Sequence, residues 1–95
     1  MKIESMKSGS GRSVPNQFSI TDDMGNRFFQ SYKSIVIKIV PRTGAILGRT
    51  ITLDKLTWDY SRTTAKYRNQ FLCEDTKTIK AKIKNGEYAL ENLNQ

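Results

Sequence analysis

Ninety-five residues form one domain, because a chain this short has too few apolar side chains to close a second core. The composition, 37% hydrophobic and 26% charged, is that of an ordinary globular protein, and a formal net charge of +7 favours polyanionic partners. Much is excluded: no apolar run approaches the roughly 18 residues of a membrane span, no histidine is present to act as base or metal ligand, and the lone Cys73 cannot close an internal disulfide.

Neither a dinucleotide-binding nor a nucleotide-binding glycine motif occurs. The expectation is therefore a non-enzymatic protein of a reducing cytoplasm, with no cofactor, metal, membrane or small-molecule substrate. The N-terminal stretch "MKIESMKSGSGRSVPN" lacks the apolar segment of a secretory signal and also lacks periodicity. Residues 1–16 read as a mobile basic arm, and residues 17–95 as a single α+β domain.

"QFSIT" opens a period-2 pattern with Phe18 and Ile20 on one face. "DDMGN" supplies the hairpin turn, with Gly25 and Asn26 suited to positive φ, and "RFFQSY" returns. "SIVIKIV" follows as a β-branched strand, with Ile35, Ile37 and Ile39 on one face and Val36, Lys38 and Val40 on the other. Pro41 ends it, "RTGA" turns, and "ILGRTITLD" runs back with Leu47, Ile51 and Leu53 inward. These elements make two hairpins, an antiparallel sheet of about four strands.

At Asp54 the period changes. Ser61 is placed to cap a helix in which Thr64, Tyr67 and Phe71 recur at helical spacing. "CED" breaks it, and Asp75 or Thr76 starts a second helix through Asn85, with Ile79 and Ile83 as its apolar stripe and Gly86 as its stop. Both helices should pack on one sheet face, with Tyr88, Leu90 and Leu93 of the tail folded over the core.

Between residues 61 and 86, seven basic residues stand against two acidic ones. Arg62, Lys66, Arg68, Lys77, Lys80 and Lys84 are the candidate phosphate contacts, since cations on a helix pair neutralise a nucleic-acid backbone without reading bases. The rhythm of "FLCEDTKTIKAKIKNGEY" is similar to that of excisionase-type helix-turn-helix modules. Phe29, Trp58 and Tyr60 are candidate recognition aromatics: Phe29 lies among Arg27 and Lys33, a mixture used to stack single-stranded bases, and Trp58 and Tyr60 sit at the strand-to-helix junction. Asp59 precedes the basic helix, where negative charge suits the helix dipole.

The segments "FFQSYKSIVIKI", "WDYSRTTAKYRNQFL" and "IKNGEYALENLN" resemble a family of small uncharacterised tailed-bacteriophage proteins. In that pattern a phenylalanine precedes a Ser-Tyr pair, Trp-Asp-Tyr-Ser opens a Thr-Thr-x-Lys-Tyr helix, and Gly-x-Tyr and Leu-Asn close the chain. The resemblance spans Phe28 to Asn94 and is most specific from Trp58 to Leu72. It lends no catalytic residue. It implies a setting, the host bacterial cytoplasm, and a binding role there. The leading expectation is a protein that binds nucleic acid through the basic helical pair. The alternatives are an inhibitor of a host enzyme or defence complex, in the manner of an anti-CRISPR, and a minor virion or assembly factor.

Overall fold

The computed structural model describes residues 1–41 and 49–94. Six strands and two helices follow in chain order: β1 (Lys2–Lys7), β2 (Ser13–Thr21), β3 (Arg27–Ser31), β4 (Ser34–Pro41), β5 (Arg49–Asp54), α1 (Arg62–Leu72), α2 (Thr76–Lys84) and β6 (Tyr88–Glu91). The strands lie in the sheet in sequence order. β1 to β5 form an antiparallel meander, and β6 pairs parallel with β5. A parallel neighbour needs a crossover, and the helix pair supplies it.

The α+β class and two helices stand as expected, but the sheet is mixed and has six strands rather than about four antiparallel ones. Two segments account for the difference. Residues 2–7 are not a mobile arm: they pair with β2 from Lys2↔Thr21 to Ser5↔Phe18. Four tail residues form β6 alongside Ile51 to Asp54. The expected "RTGA" turn and Leu47 lie outside the described residues.

One face of the sheet meets the helices. Phe29, Val36, Ile37, Leu53 and Ile79 are fully buried there, joined by Ile39, Ile51, Tyr67, Phe71, Leu72 and Tyr88. Burial of each such side chain contributes about 1.5–3 kcal/mol. Phe29 stacks on Phe71 with ring centroids 5.7 Å apart, which fastens α1 to β3.

A bulge corrects the expected faces of β4. Phe29 pairs with Ile37, yet Gln30 pairs with Ile35, so Val36 is the extra residue. Val36 and Ile37 are both buried, while Ile35 joins Lys38 and Val40 on the opposite, open face. Phe18, Ile20 and Phe28 lie on that open face too, through the pairs Phe18↔Gln30 and Ile20↔Phe28. Beside them is a groove of about 500 Å³ whose apolar walls are Phe28, Ile35, Val40 and Leu93 and whose polar walls include Lys38, Thr52 and Glu91.

The tail is pinned across the end of the sheet. Leu93 N–H donates to Asp54 Oδ1 at 2.8 Å, and the Asn94 side chain bonds both backbone groups of Ile35, at 2.7 and 2.9 Å. Burial pushes the Asp54 carboxyl up, but hydrogen bonds from Thr57, Leu93 and Asn94 outweigh it and hold the group below its ordinary value. Gln17 is also fully buried, and its side-chain amide has no partner among the described residues. An unpartnered buried group of that kind costs about 1–3 kcal/mol, and no other feature of the fold accounts for it.

Candidate nucleic-acid interface on the helix pair

α1 begins as its sequence dictates. Ser61 is extended, and its Oγ accepts from Thr64 N–H at 3.1 Å, satisfying one of the donors that a helix start leaves unpaired. The inward stripe is Thr64, Tyr67, Arg68, Phe71 and Leu72, which leaves Arg62, Lys66 and Gln70 exposed. Thr64 Oγ1 shares a buried hydrogen bond of 2.8 Å with Ser31 Oγ, a polar rivet between α1 and β3.

Arg68 is not a surface cation, which corrects its assignment as a phosphate contact. Its side chain is fully buried and uses all five N–H donors. Nε and Nη2 donate to Asn69 Oδ1 at 3.0 and 2.9 Å. Nη1 donates to Trp58 O at 2.6 Å and Asp59 Oδ1 at 3.1 Å, and Nη2 also donates to Thr76 Oγ1 at 2.9 Å. The guanidinium lies over the Trp58 ring, 5.3 Å from its centroid. Arg68 thus ties the loop after β5, α1 and the first residue of α2 into one unit. Asp59 is spent on this pair rather than on the helix dipole. The signal was present in the spacing, since Arg68 stands at i+4 from Thr64 and i−3 from Phe71, on the buried stripe.

The turn to α2 is tight. Cys73 adopts the left-handed conformation (φ 57°, ψ 39°), the place where glycine is expected, and Glu74 N–H returns to Asn69 O at 3.1 Å. Asp75 then caps α2, its Oδ1 accepting from Thr78 N–H at 2.7 Å. Hydrogen bonds from Thr78, with the nearby Lys77 charge, hold the Asp75 carboxyl below its ordinary value. Gly86, at φ +88°, follows the end of α2 as the expected stop.

α2 buries Ile79 and half-buries Ile83, which turns Lys77, Lys80 and Lys84 to solvent. Their i, i+3, i+7 spacing draws them into one stripe about 10 Å long. Lys80 and Lys84 make no ion pair among the described residues. Lys82 differs: its ammonium pairs with Glu74, which also accepts from the Tyr88 hydroxyl. The Glu74 hydrogen bond raises the Lys82 pKa, while burial first, then Glu74, raises that of Tyr88. This cluster fastens α2 to β6 and was not singled out from sequence, because Glu74 lies in the turn before α2, Lys82 on α2 and Tyr88 on β6.

Of the candidate residues, five are therefore exposed cations on the helix pair: Arg62, Lys66, Lys77, Lys80 and Lys84. Lys66 lies 5.4 Å from the centroid of the Tyr67 ring. Among the aromatics, Phe29 is fully buried in the core and is no recognition residue; Phe28, its neighbour, occupies the open face. Trp58 is half-buried beneath Arg68. Tyr60 is 54% exposed and borders a shallow depression of about 290 Å³ at the start of α1 with Arg62 and Ala65. No helix among the described residues is long and apolar enough to cross a membrane.

Fold and surface together define a small α+β protein with a mixed sheet and a cationic helical layer. The chain belongs to DUF8033, a family of unknown function whose model matches residues 1–87. The match takes in β1 and β2. No curated protein and no solved structure matches the chain.

Proposed function

We propose that this protein binds nucleic acid through its phosphate backbone, using the outer face of the helix pair. The observation that carries the reading is the Lys77–Lys80–Lys84 stripe, solvent-facing on α2 and opposite Ile79. Arg62 and Lys66 add charge from α1. Lysines act as point charges on phosphate and read base edges poorly, so the binding is governed by charge rather than sequence. Tyr60 is an exposed aromatic that shares a shallow depression with Arg62 and is available to stack an unpaired base. Non-enzymatic action in the cytoplasm of a phage-infected bacterium, which the sequence resemblance implies, belongs to the same reading.

The test is fluorescence anisotropy with labelled single- and double-stranded DNA over a range of salt. Five phosphate contacts correspond to a log–log slope of about −4 to −5 on duplex DNA. Failure to bind at low salt, or binding that is indifferent to salt, contradicts the proposal.

A second reading is favoured by one observation, the groove on the open sheet face. Its apolar walls (Phe28, Ile35, Val40 and Leu93) and half-buried Lys38 suit a protein segment, as an inhibitor of a host complex would require. A discrete host protein that co-purifies after nuclease treatment, and is lost with Phe28→Asp, is the outcome this reading requires.

A further inference from the structure

β1 forms one edge of the sheet, and residues 1–5 bond to no strand on their outer side among the described residues. Which backbone groups point outward follows from β2. Asp22 N–H bonds to Asn26 O, and Tyr32 N–H to Asn16 O, so the even-numbered residues of β2 direct their N–H and C=O groups at β3. Ser19 and Thr21 therefore direct theirs at β1, where they face Glu4 and Lys2. Ile3 and Ser5 are left with N–H and C=O groups aimed away from the sheet.

The side chains of this edge are also ordered by face. Lys2 and Glu4 stand on the helix side, in line with the Ser19↔Phe29 pair, and Ile3 stands on the open side beside Ile20 and Phe28. Ile3 is 60% exposed, a large apolar residue on an edge strand whose outer side pairs with no strand among the described residues. Lys2 and Glu4 pair within the chain at 3.4 Å, with 72% and 62% of their side chains still exposed.

We propose that β1 pairs with the β1 of a second copy, antiparallel, about a two-fold axis through Ile3. In this register Ile3 meets the partner's Ile3 through reciprocal backbone bonds, Lys2 meets the partner's Glu4, and Glu4 meets the partner's Lys2. Sliding by one step in either direction sets Lys2 against the partner's Lys2, or Glu4 against the partner's Glu4, like charges that repel when directly opposed. Beyond Ser5 the β1–β2 register breaks, so the ladder cannot shift further along the chain. Charge and hydrogen-bond phase thus select one register, and it is self-complementary.

The axis stands perpendicular to the sheet, so both helix layers face the same side. α1 packs over β2 and β3 and touches β1 through Gln70 Nε2, which donates to Lys7 O at 2.9 Å. The C-terminal end of α1 is therefore the part that approaches the β1 edge, while its start is held over β3 through Thr64 and Ser31, and the dimer presents two cationic helix layers on one side. On the other side, the apolar row Phe28–Ile20–Ile3 continues into that of the partner. The ladder is short, so the dimer is a concentration-dependent one.

Sedimentation velocity without nucleic acid, up to about 1 mM protein, tests this independently of the phosphate reading. A monomer–dimer equilibrium is expected. Glu4→Lys should weaken it by about tenfold or more, and Lys2→Glu combined with Glu4→Lys should restore it. Ile3→Cys in a Cys73→Gly background should give a disulfide-linked dimer, because Cα atoms about 5.5 Å apart at the axis lie within disulfide range; Ser5→Cys should not. A chain monomeric throughout, a dimer indifferent to Glu4→Lys, or equal cross-linking at both positions overturns the proposal.

Discussion

Arg68 shows what a single residue type conceals. An arginine in a basic helix reads as a ligand-binding cation, yet here it is the largest fully buried side chain among the described residues, with every donor engaged. The Trp-Asp-Tyr-Ser element that opens α1 is accordingly structural in its first two members, since the Trp58 carbonyl and the Asp59 carboxylate hold that guanidinium. Arg68→Ala leaves these acceptors without their donor and should cost about 3 kcal/mol; Arg68→Lys, lacking the planar fork, should cost about 2 kcal/mol. Denaturant unfolding measures both, and DNA affinity per folded molecule should stay unchanged. A variant that unfolds like the parent but loses DNA binding would return Arg68 to the surface. Cys73 gives the opposite case. A side chain at positive φ costs about 1–2 kcal/mol, so Cys73→Gly should stabilise the protein by about 0.5–1 kcal/mol once the flexibility of glycine in the unfolded chain is deducted. A lower midpoint in denaturant would contradict that account of the turn.

At the scale of elements, the tail and the edges behave differently from the helices. Asp54 anchors the tail by accepting from Leu93 N–H and from Thr57 Oγ1, the latter at 2.6 Å. Its folded carboxyl titrates below the ordinary value of 3.8, so its contribution is complete above that pH and fades as pH falls through the lower folded pKa. Asp54→Asn should therefore unfold about 1–2 kcal/mol more readily near about pH 7, and the difference from the parent should shrink as pH falls through the lowered folded pKa. A loss that stays constant as the pH is lowered would remove the ionised carboxylate from the explanation. The helices were readable because their signals are local: Ser61 and Asp75 cap where their side chains predict, and the apolar stripes fall at helical spacing. β1 was not readable, because Ile3 and Met6 stand an odd number of residues apart and leave no alternation. β6 offered only four residues, whose pairing depends on β5, far away in sequence. On β4 the alternation was followed straight through Val36, where a bulge decided by the neighbouring strand reverses the face of Ile35.

For the whole molecule, the +7 charge is unevenly shared. The helix layer carries five exposed cations, whereas on the open sheet face Lys38 stands among Phe28, Ile35, Val40 and Leu93 together with Thr50, Thr52, Glu91 and Asn92. This separation was partly readable: five of the six chosen cations are exposed on the helices, and the sixth was missed because burial of a charged group is decided by tertiary partners. The phosphate reading depends on the separation, for it assigns the helix side alone to nucleic acid. The most direct measurement is the salt dependence of DNA anisotropy for the parent and for Lys80→Glu combined with Lys84→Glu. Both positions are exposed, so the variant should melt with the parent, and its log–log slope should be shallower by about two, with affinity reduced at every salt concentration. An unchanged slope and affinity would mean that the α2 stripe does not meet phosphate.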